Sequence, residues 1–185
     1  MTEIRTERLI LRGWQDADRA AFAAINADPQ VMEFFPALLS RAESDAVIER
    51  QTARLAEDGL CFLALERRAD GVLLGFTGLA TVSFAAPFAP AVEIGWRLAR
   101  SAWGRGYATE AARACLRWGF ADHGLAEILA FAVPGNTRSH AVMERIGMRR
   151  DPDGSFDHPA LPAGNHLRRH WLWRLTRQDW ERAGG

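Results

Sequence analysis

Hydrophobic and polar positions along the chain alternate between two periods, one near two residues and one near 3.6. Leu9-Ile10-Leu11-Arg12 predicts a short first strand that stops at Gly13. A helix follows to about Asn26, with Asp16 as N-cap and Phe22 and Ile25 on its apolar side, and Asp28-Pro29 breaks it. Val31–Phe35 predicts one or two helical turns before Pro36, with Phe34 and Phe35 either in the core or facing a ligand. Ser40-x-x-Glu43 is a capping-box pattern, and the helix it opens ends at Gly59. Two extended runs, Cys61–Glu66 and Val72–Val82, are joined through Asp70-Gly71, a hairpin signal. Ser83–Pro90 reads as a loop and Ala91–Leu98 as a strand. Ala108, Ala112, Cys115, Leu116 and Gly119 then form an amphipathic helical stripe closed near Gly124. Glu127–Val133 reads as a buried strand, Asn136 to Met148 as a capped helix, and Asp151–Gly164 as an irregular connector. Leu167–Leu175 predicts the last strand, and Thr176-x-x-Asp179 starts a terminal helix. Hairpins followed by strand–helix–strand imply an α/β fold, a mixed central β-sheet with helices on both faces and one parallel pair with a right-handed crossover.

Composition narrows the classes. The 185 residues carry 23 basic and 23 acidic side chains, and every basic one is arginine. A formal net charge of zero gives no global attraction to nucleic acid or an anionic membrane. The N-terminus lacks a signal-peptide core, and no apolar run approaches the ~20 residues that span a bilayer, so a soluble cytoplasmic protein is expected. No repeat or linker divides the chain, and residues 1–185 read as one domain. Cys61 and Cys115 sit in apolar segments, as buried free thiols do. The histidines lack zinc-ligand spacing, so no metal is expected. His166–His170 with Arg168 and Arg169 makes a small basic patch, read as a solvated strand face in preference to an RNA contact. The seven tryptophans fit either core packing or a dimer surface.

The candidate chemistry lies in Glu93–Ala112. A strand leads into a loop bearing Gly104 and Gly106, and a helix begins directly after it. Glycines let the backbone approach a ligand, and the free N–H groups and dipole of the helix start favour an anion. A nucleotide-triphosphatase loop would need Gly-Lys-[Ser/Thr], and the chain has no lysine. A dinucleotide loop would need a third glycine where Thr109 stands.

The string Trp103-Gly104-Arg105-Gly106-Tyr107-Ala108 instead resembles the pyrophosphate motif [Gln/Arg]-x-x-Gly-x-[Gly/Ala] of the GNAT N-acetyltransferase superfamily, with Trp103 in place of Gln or Arg. The longer string through Thr109-Glu110-Ala111 is similar to the RimJ/RimL-like branch related to ribosomal-protein alanine acetyltransferases, and Asn136-x-x-Ser139 through Gly147-Met148 again resembles the GNAT superfamily. The resemblance implies acetyl-CoA as co-substrate and a primary amine as acceptor, either a protein N-terminus or a small amine. It implies that the cofactor's arm enters between the Glu93 strand and the Glu127–Val133 strand and bonds free backbone at Ile94. Trp103, Gly104, Arg105, Gly106, Tyr107, Ala108 and Thr109 would surround the pyrophosphate, and Asn136 would be a pantetheine contact, a helix cap or both. Glu93 is the candidate base, with a structural ion pair or binding of the acceptor ammonium as alternatives. Ser139 either bonds the thioester sulfur or is an ordinary first-turn serine. Many members carry a tyrosine as acid seven residues past the asparagine, where this chain has Met143. Arg138 and Arg145 are read as solvated helix residues or as contacts to CoA phosphates. A non-catalytic acyl-CoA-binding module is the competing reading.

Overall fold

The computed structural model describes residues 2–185. Strands β1 (Glu3–Arg5) and β2 (Leu9–Arg12) precede helices α1 (Asp18–Asn26) and α2 (Arg41–Asp58). Next come β3 (Phe62–Arg67), β4 (Leu73–Thr81), β5 (Val92–Leu98), α3 (Tyr107–Arg117) and β6 (Glu127–Ala132). The chain ends with α4 (Thr137–Arg145), β7 (Arg149–Asp157), β8 (Arg169–Thr176) and α5 (Arg177–Arg182). All eight strands form one sheet in the order β1-β2-β3-β4-β5-β6-β8-β7. Among the described residues the single parallel pair is β5–β6, joined through α3, as expected of strand–helix–strand.

Side chains alternate across this sheet, so each strand contributes to two packing layers. On one face Ala64 and Phe76 pack with Phe22 of α1 and Ile48 of α2. On the other, Leu63, Leu65, Leu79 and Ile94 pack with Ala111, Ala112, Cys115 and Leu116 of α3. Cys61 and Cys115 are free and buried, and burial pushes the Cys61 thiol up to about 12. Among the described residues the exposed large hydrophobics are Phe35, Leu38 and Val72, while Trp118 and Trp173 are buried and the other five tryptophans half-buried. Among the described residues no helix is long and apolar enough to cross a membrane.

Local signals set the boundaries that formed as expected. Ser40 and Glu43 make both halves of the capping box, and Gly59 ends α2 at φ 71°. Thr176 caps α5 by accepting from the Asp179 N–H. Other expectations fail for tertiary reasons. Asp16 does not cap α1; Ala17 holds that place. The neighbouring Asp18 is drawn inward to Arg12 at 2.8 Å and also accepts from the Gln15 N–H. Residues 31–35 form turns rather than helix, held by single bonds such as Met32 N–H to Asp28 O. The connector expected from Asp151 is in its first part β7, despite Pro152 and Gly154. A register shift between Asp151 and Phe156 accommodates them, and the Asp151 carboxylate fills the bulge by accepting from Gly154 N–H and Arg174 Nε.

Candidate active site

β5 and β6 pair at one register position, Glu93 opposite Leu129, and then separate toward their C-terminal ends. β4 still covers β5 on its other side from Val92 to Leu98, and β8 covers β6, so the gap opens inside the sheet. It forms a cleft of about 1190 Å³. Each strand then leads into a helix: Gly106 is the N-cap of α3 and Asn136 the N-cap of α4. The first N–H groups of both helices therefore reach the mouth of the cleft, where their partial positive charge favours an anion.

The phosphate-loop residues occupy this mouth. Gly104 and Gly106 have φ of 70° and 77°, a region that disfavours other residues. A Cβ on Gly104 would have open space, so its backbone is uncovered on that side. Trp103, Gly104, Gly106, Tyr107, Ala108 and Thr109 line the cleft. Arg105 does not. Its carbonyl accepts from Arg8 Nη1 at 2.9 Å and its Nε donates to Ser101 O, so it braces the loop from behind. Trp103 is fixed by its indole N–H to Leu98 O at 2.9 Å. Arg138 stacks 4.3 Å from the Trp103 ring and pairs with Glu33 at 2.9 Å, tying α4 to the 31–36 turn. Arg138 and Arg145 both line the cleft rather than standing on a purely solvated face.

Asn136 Oδ1 accepts from the Ser139 backbone N–H at 3.2 Å, so the asparagine is a helix cap that also faces the cleft. This bond uses the serine's backbone, and among the described residues its hydroxyl has no hydrogen-bond partner. Met143 is buried at the cleft wall. Tyr107 packs beneath Arg8, 4.7 Å from the guanidinium, and its hydroxyl lies beside Arg67.

Glu93 and Ile94 line the inner cleft. Surface water reaches Glu93 only partly, and the surrounding protein pushes its carboxyl up to about 7, with Arg54 acting weakly the other way. Among the described residues no ion pair or hydrogen bond holds this carboxylate, unlike Glu110, which three bonds from Thr6 and Arg8 secure. A carboxyl poised near neutrality in a cleft is suited to proton transfer.

Two features escaped the sequence reading. His170 is not on a solvated strand face; its ring stacks on Phe156 and lies 5.4 Å from His158, and both imidazoles line the cleft. Phe84 and Phe88, from the 83–90 loop, complete this aromatic cluster with Phe131 and Phe156. The second feature is Arg97, in the cleft wall without a carboxylate partner. Alternation along β5 places it on the same face as Glu93, a signal the sequence did contain.

Residues 8–149 match the acetyltransferase (GNAT) domain family, and the chain belongs to that family. It is an acetyl-CoA-dependent acyltransferase. YnaD of Bacillus subtilis, an uncharacterized N-acetyltransferase, is 29% identical over 178 residues, covering 96% of this chain and 98% of its own. The crystal structure of a GNAT-family acetyltransferase from Bacillus anthracis superposes with a TM-score of 0.80 at 27% identity, covering 96% of this chain and 99% of that one. RimJ of Mycobacterium smegmatis, solved in complex with CoA-disulfide, shares the fold with a TM-score of 0.74 at 22% identity, over 99% and 93% of the two chains.

Proposed function

We propose that this chain transfers the acetyl group of acetyl-CoA to a primary amine by direct attack in one ternary complex. The observation that carries the reading is the Glu93 carboxylate, unpaired and shifted toward neutrality, in the cleft that two helix N-termini flank. Backbone N–H groups across Gly104–Thr109 hold the pyrophosphate, with Arg105 contributing only its backbone, and the edge of β5 at Ile94 bonds the pantetheine arm. The binding of CoA by the fold-related RimJ is consistent with this assignment.

The amine must be neutral to attack. Glu93 takes its proton, directly or through a water, and the nitrogen lone pair forms the C–N bond at the thioester carbonyl. The C–S bond then breaks and its electron pair leaves on the CoA sulfur, which takes up the second proton that the nitrogen sheds on becoming an amide, directly or through a water. The free hydroxyl of Ser139 donates a hydrogen bond to that sulfur as charge develops, which lowers the barrier to departure. The acceptor enters between the 31–36 turn and the His158–His170 cluster. The acceptor class includes peptide N-termini, as the RimJ/RimL-like resemblance suggests, and small amines. A cytoplasmic location supplies both substrates.

The test is acetyl-CoA-dependent thiol release against peptides with free N-termini and small amines, using wild type and Glu93→Gln. Turnover that is lost in the variant while CoA still binds supports the mechanism. Undiminished turnover in the variant removes Glu93 from the base role. CoA binding with no turnover across the panel favours the non-catalytic module.

A further inference from the structure

Glu93, Gly95 and Arg97 alternate along β5 and face α1 and α2, whereas Ile94 and Leu98 face α3. The proton transfer proposed above uses only Glu93. Arg97 packs against two aromatic rings, its guanidinium carbon 4.0 Å from the centroid of Phe35 and 5.3 Å from that of Phe76. Nη1 donates to Asn26 Oδ1 at 2.7 Å. Asn26 is itself fully buried and donates through Nδ2 to Ser44 Oγ at 2.8 Å, so α1 and α2 together fix the guanidinium. Among the described residues no carboxylate pairs with Arg97, and its Nε is buried without a hydrogen-bond partner. Burial alone lowers its pKa to about 10, the sign of a charge that lacks a counterion.

A buried charge without a partner is destabilising, and an anion that completes it binds well. A carboxylate fits a guanidinium edge-on, in the plane of the fork. Between Glu93 and Arg97 the Phe62 ring lies over Gly95, where a Cβ would come within 2.9 Å of it, so an aromatic surface spans the two side chains. The phosphate loop lies beyond the end of β5 and leads into α3 on the opposite face, so Arg97 is placed for the acceptor rather than for CoA phosphates.

We infer that Arg97 binds a carboxylate of the acceptor, so that the substrate is a primary amine that also carries a carboxylate. This rests on the transferase reading. Four residues of strand separate the two Cα atoms by roughly 13 Å, and the side chains shorten the gap, so amine and carboxylate are several bonds apart. An ω-amino acid of several carbons, or a peptide N-terminus followed by an acidic residue, supplies that pair.

The experiment compares ω-amino acids from glycine to 6-aminohexanoate with their carboxamides, and tetrapeptides carrying Asp with the same peptides carrying Asn. Two ratios are read for each pair: kcat/KM, and the dissociation constant measured by calorimetry with CoA bound. Wild type should prefer the acid of fitting length by about tenfold or more. The ratio should approach one in Arg97→Met and fall between in Arg97→Lys, which keeps the charge without the fork. Preference in the amino-acid arm identifies a small-molecule acceptor, and preference in the peptide arm identifies a protein N-terminus. A ratio of one in wild type, or a preference that survives in Arg97→Met, overturns the inference. Turnover without acid preference leaves the transferase standing and removes this role for Arg97. Acid preference in binding without turnover does the reverse.

Discussion

Glu93 stands opposite Leu129 at the one register position where β5 and β6 pair, so the carboxylate marks the point at which the sheet divides. Pairing on one side and separation on the other give this side chain a fixed backbone and an open cleft. Enclosure by protein, without a compensating partner, then moves its pKa.

The pH dependence follows from that shift. With the folded carboxyl at about 7, kcat/KM should rise with pH through roughly that value in wild type, and Glu93→Gln should lose this limb. Stability gives an independent reading. The folded state holds its proton where the unfolded chain, with an ordinary pKa of about 4.3, has lost it. Wild type is therefore stabilised least above pH 7, after losing stability across the window between the two values. Glu93→Gln should be more stable than wild type at pH 8, by on the order of 1–2 kcal/mol, and show no such gain at pH 4. Urea denaturation at both pH values checks this, and equal stability at pH 8 would mean that the buried carboxylate carries no such cost.

Asn136 and Ser139 separate a folding role from a chemical one. The cap bond joins the Asn136 side chain to the backbone of Ser139. Asn136→Ala should therefore cost about 1 kcal/mol of stability, seen as a lower urea midpoint. Ser139→Ala leaves that bond intact and should unfold like wild type while kcat falls about tenfold or more, since a donor to the leaving sulfur is lost. An unchanged kcat in Ser139→Ala would return the serine to an ordinary first-turn residue.

Local chemistry made much of this legible. The capping box at Ser40, the glycines at 104 and 106 and the cap at Asn136 act within a few residues, so sequence spacing reveals them. The Gly104–Thr109 loop could be placed on a cleft because strand, turn and helix are contiguous. Alternation along β5 put Arg97 on the Glu93 face, but the surroundings of Arg97 and His170 were not legible, because they come from the 31–36 turn, α1 and the 83–90 loop. β7 was missed because Pro152 and Gly154 look like breakers until Arg174 on β8 supplies the partner that holds the bulge. β1 is only three residues long, and its pairing with β2 defines it better than its own pattern does.

The two loop glycines should respond alike in conformation and differently in contact. Alanine at either position must adopt a positive φ, at a cost of about 1–2 kcal/mol. At Gly104 the added methyl meets nothing within the protein and stands where a ligand would lie, whereas at Gly106 it comes 3.5 Å from Arg8 Nη2. Gly104→Ala should weaken CoA binding, measured by calorimetry, about tenfold or more through lost backbone approach. A bulky residue at Gly106 should abolish it. Unchanged affinity in both variants would remove the phosphate-loop assignment.

His158 and His170 make a further pH effect measurable. Burial lowers both imidazole pKa values from the usual 6.5, and for His170 the charge of His158 adds to the effect. The rings lie 5.4 Å apart, so protonating both brings like charges together among phenylalanines. The unfolded chain takes up protons near pH 6.5 while the folded state resists, so stability is present above that value and is lost as pH falls below it. His170→Phe keeps an aromatic ring against Phe156 and removes one titrating group. Between pH 6.5 and 5 the wild type should therefore lose more stability than the variant, read as the difference between their urea midpoints. Parallel loss in the two proteins would show that the imidazole of His170 is solvated and titrates freely.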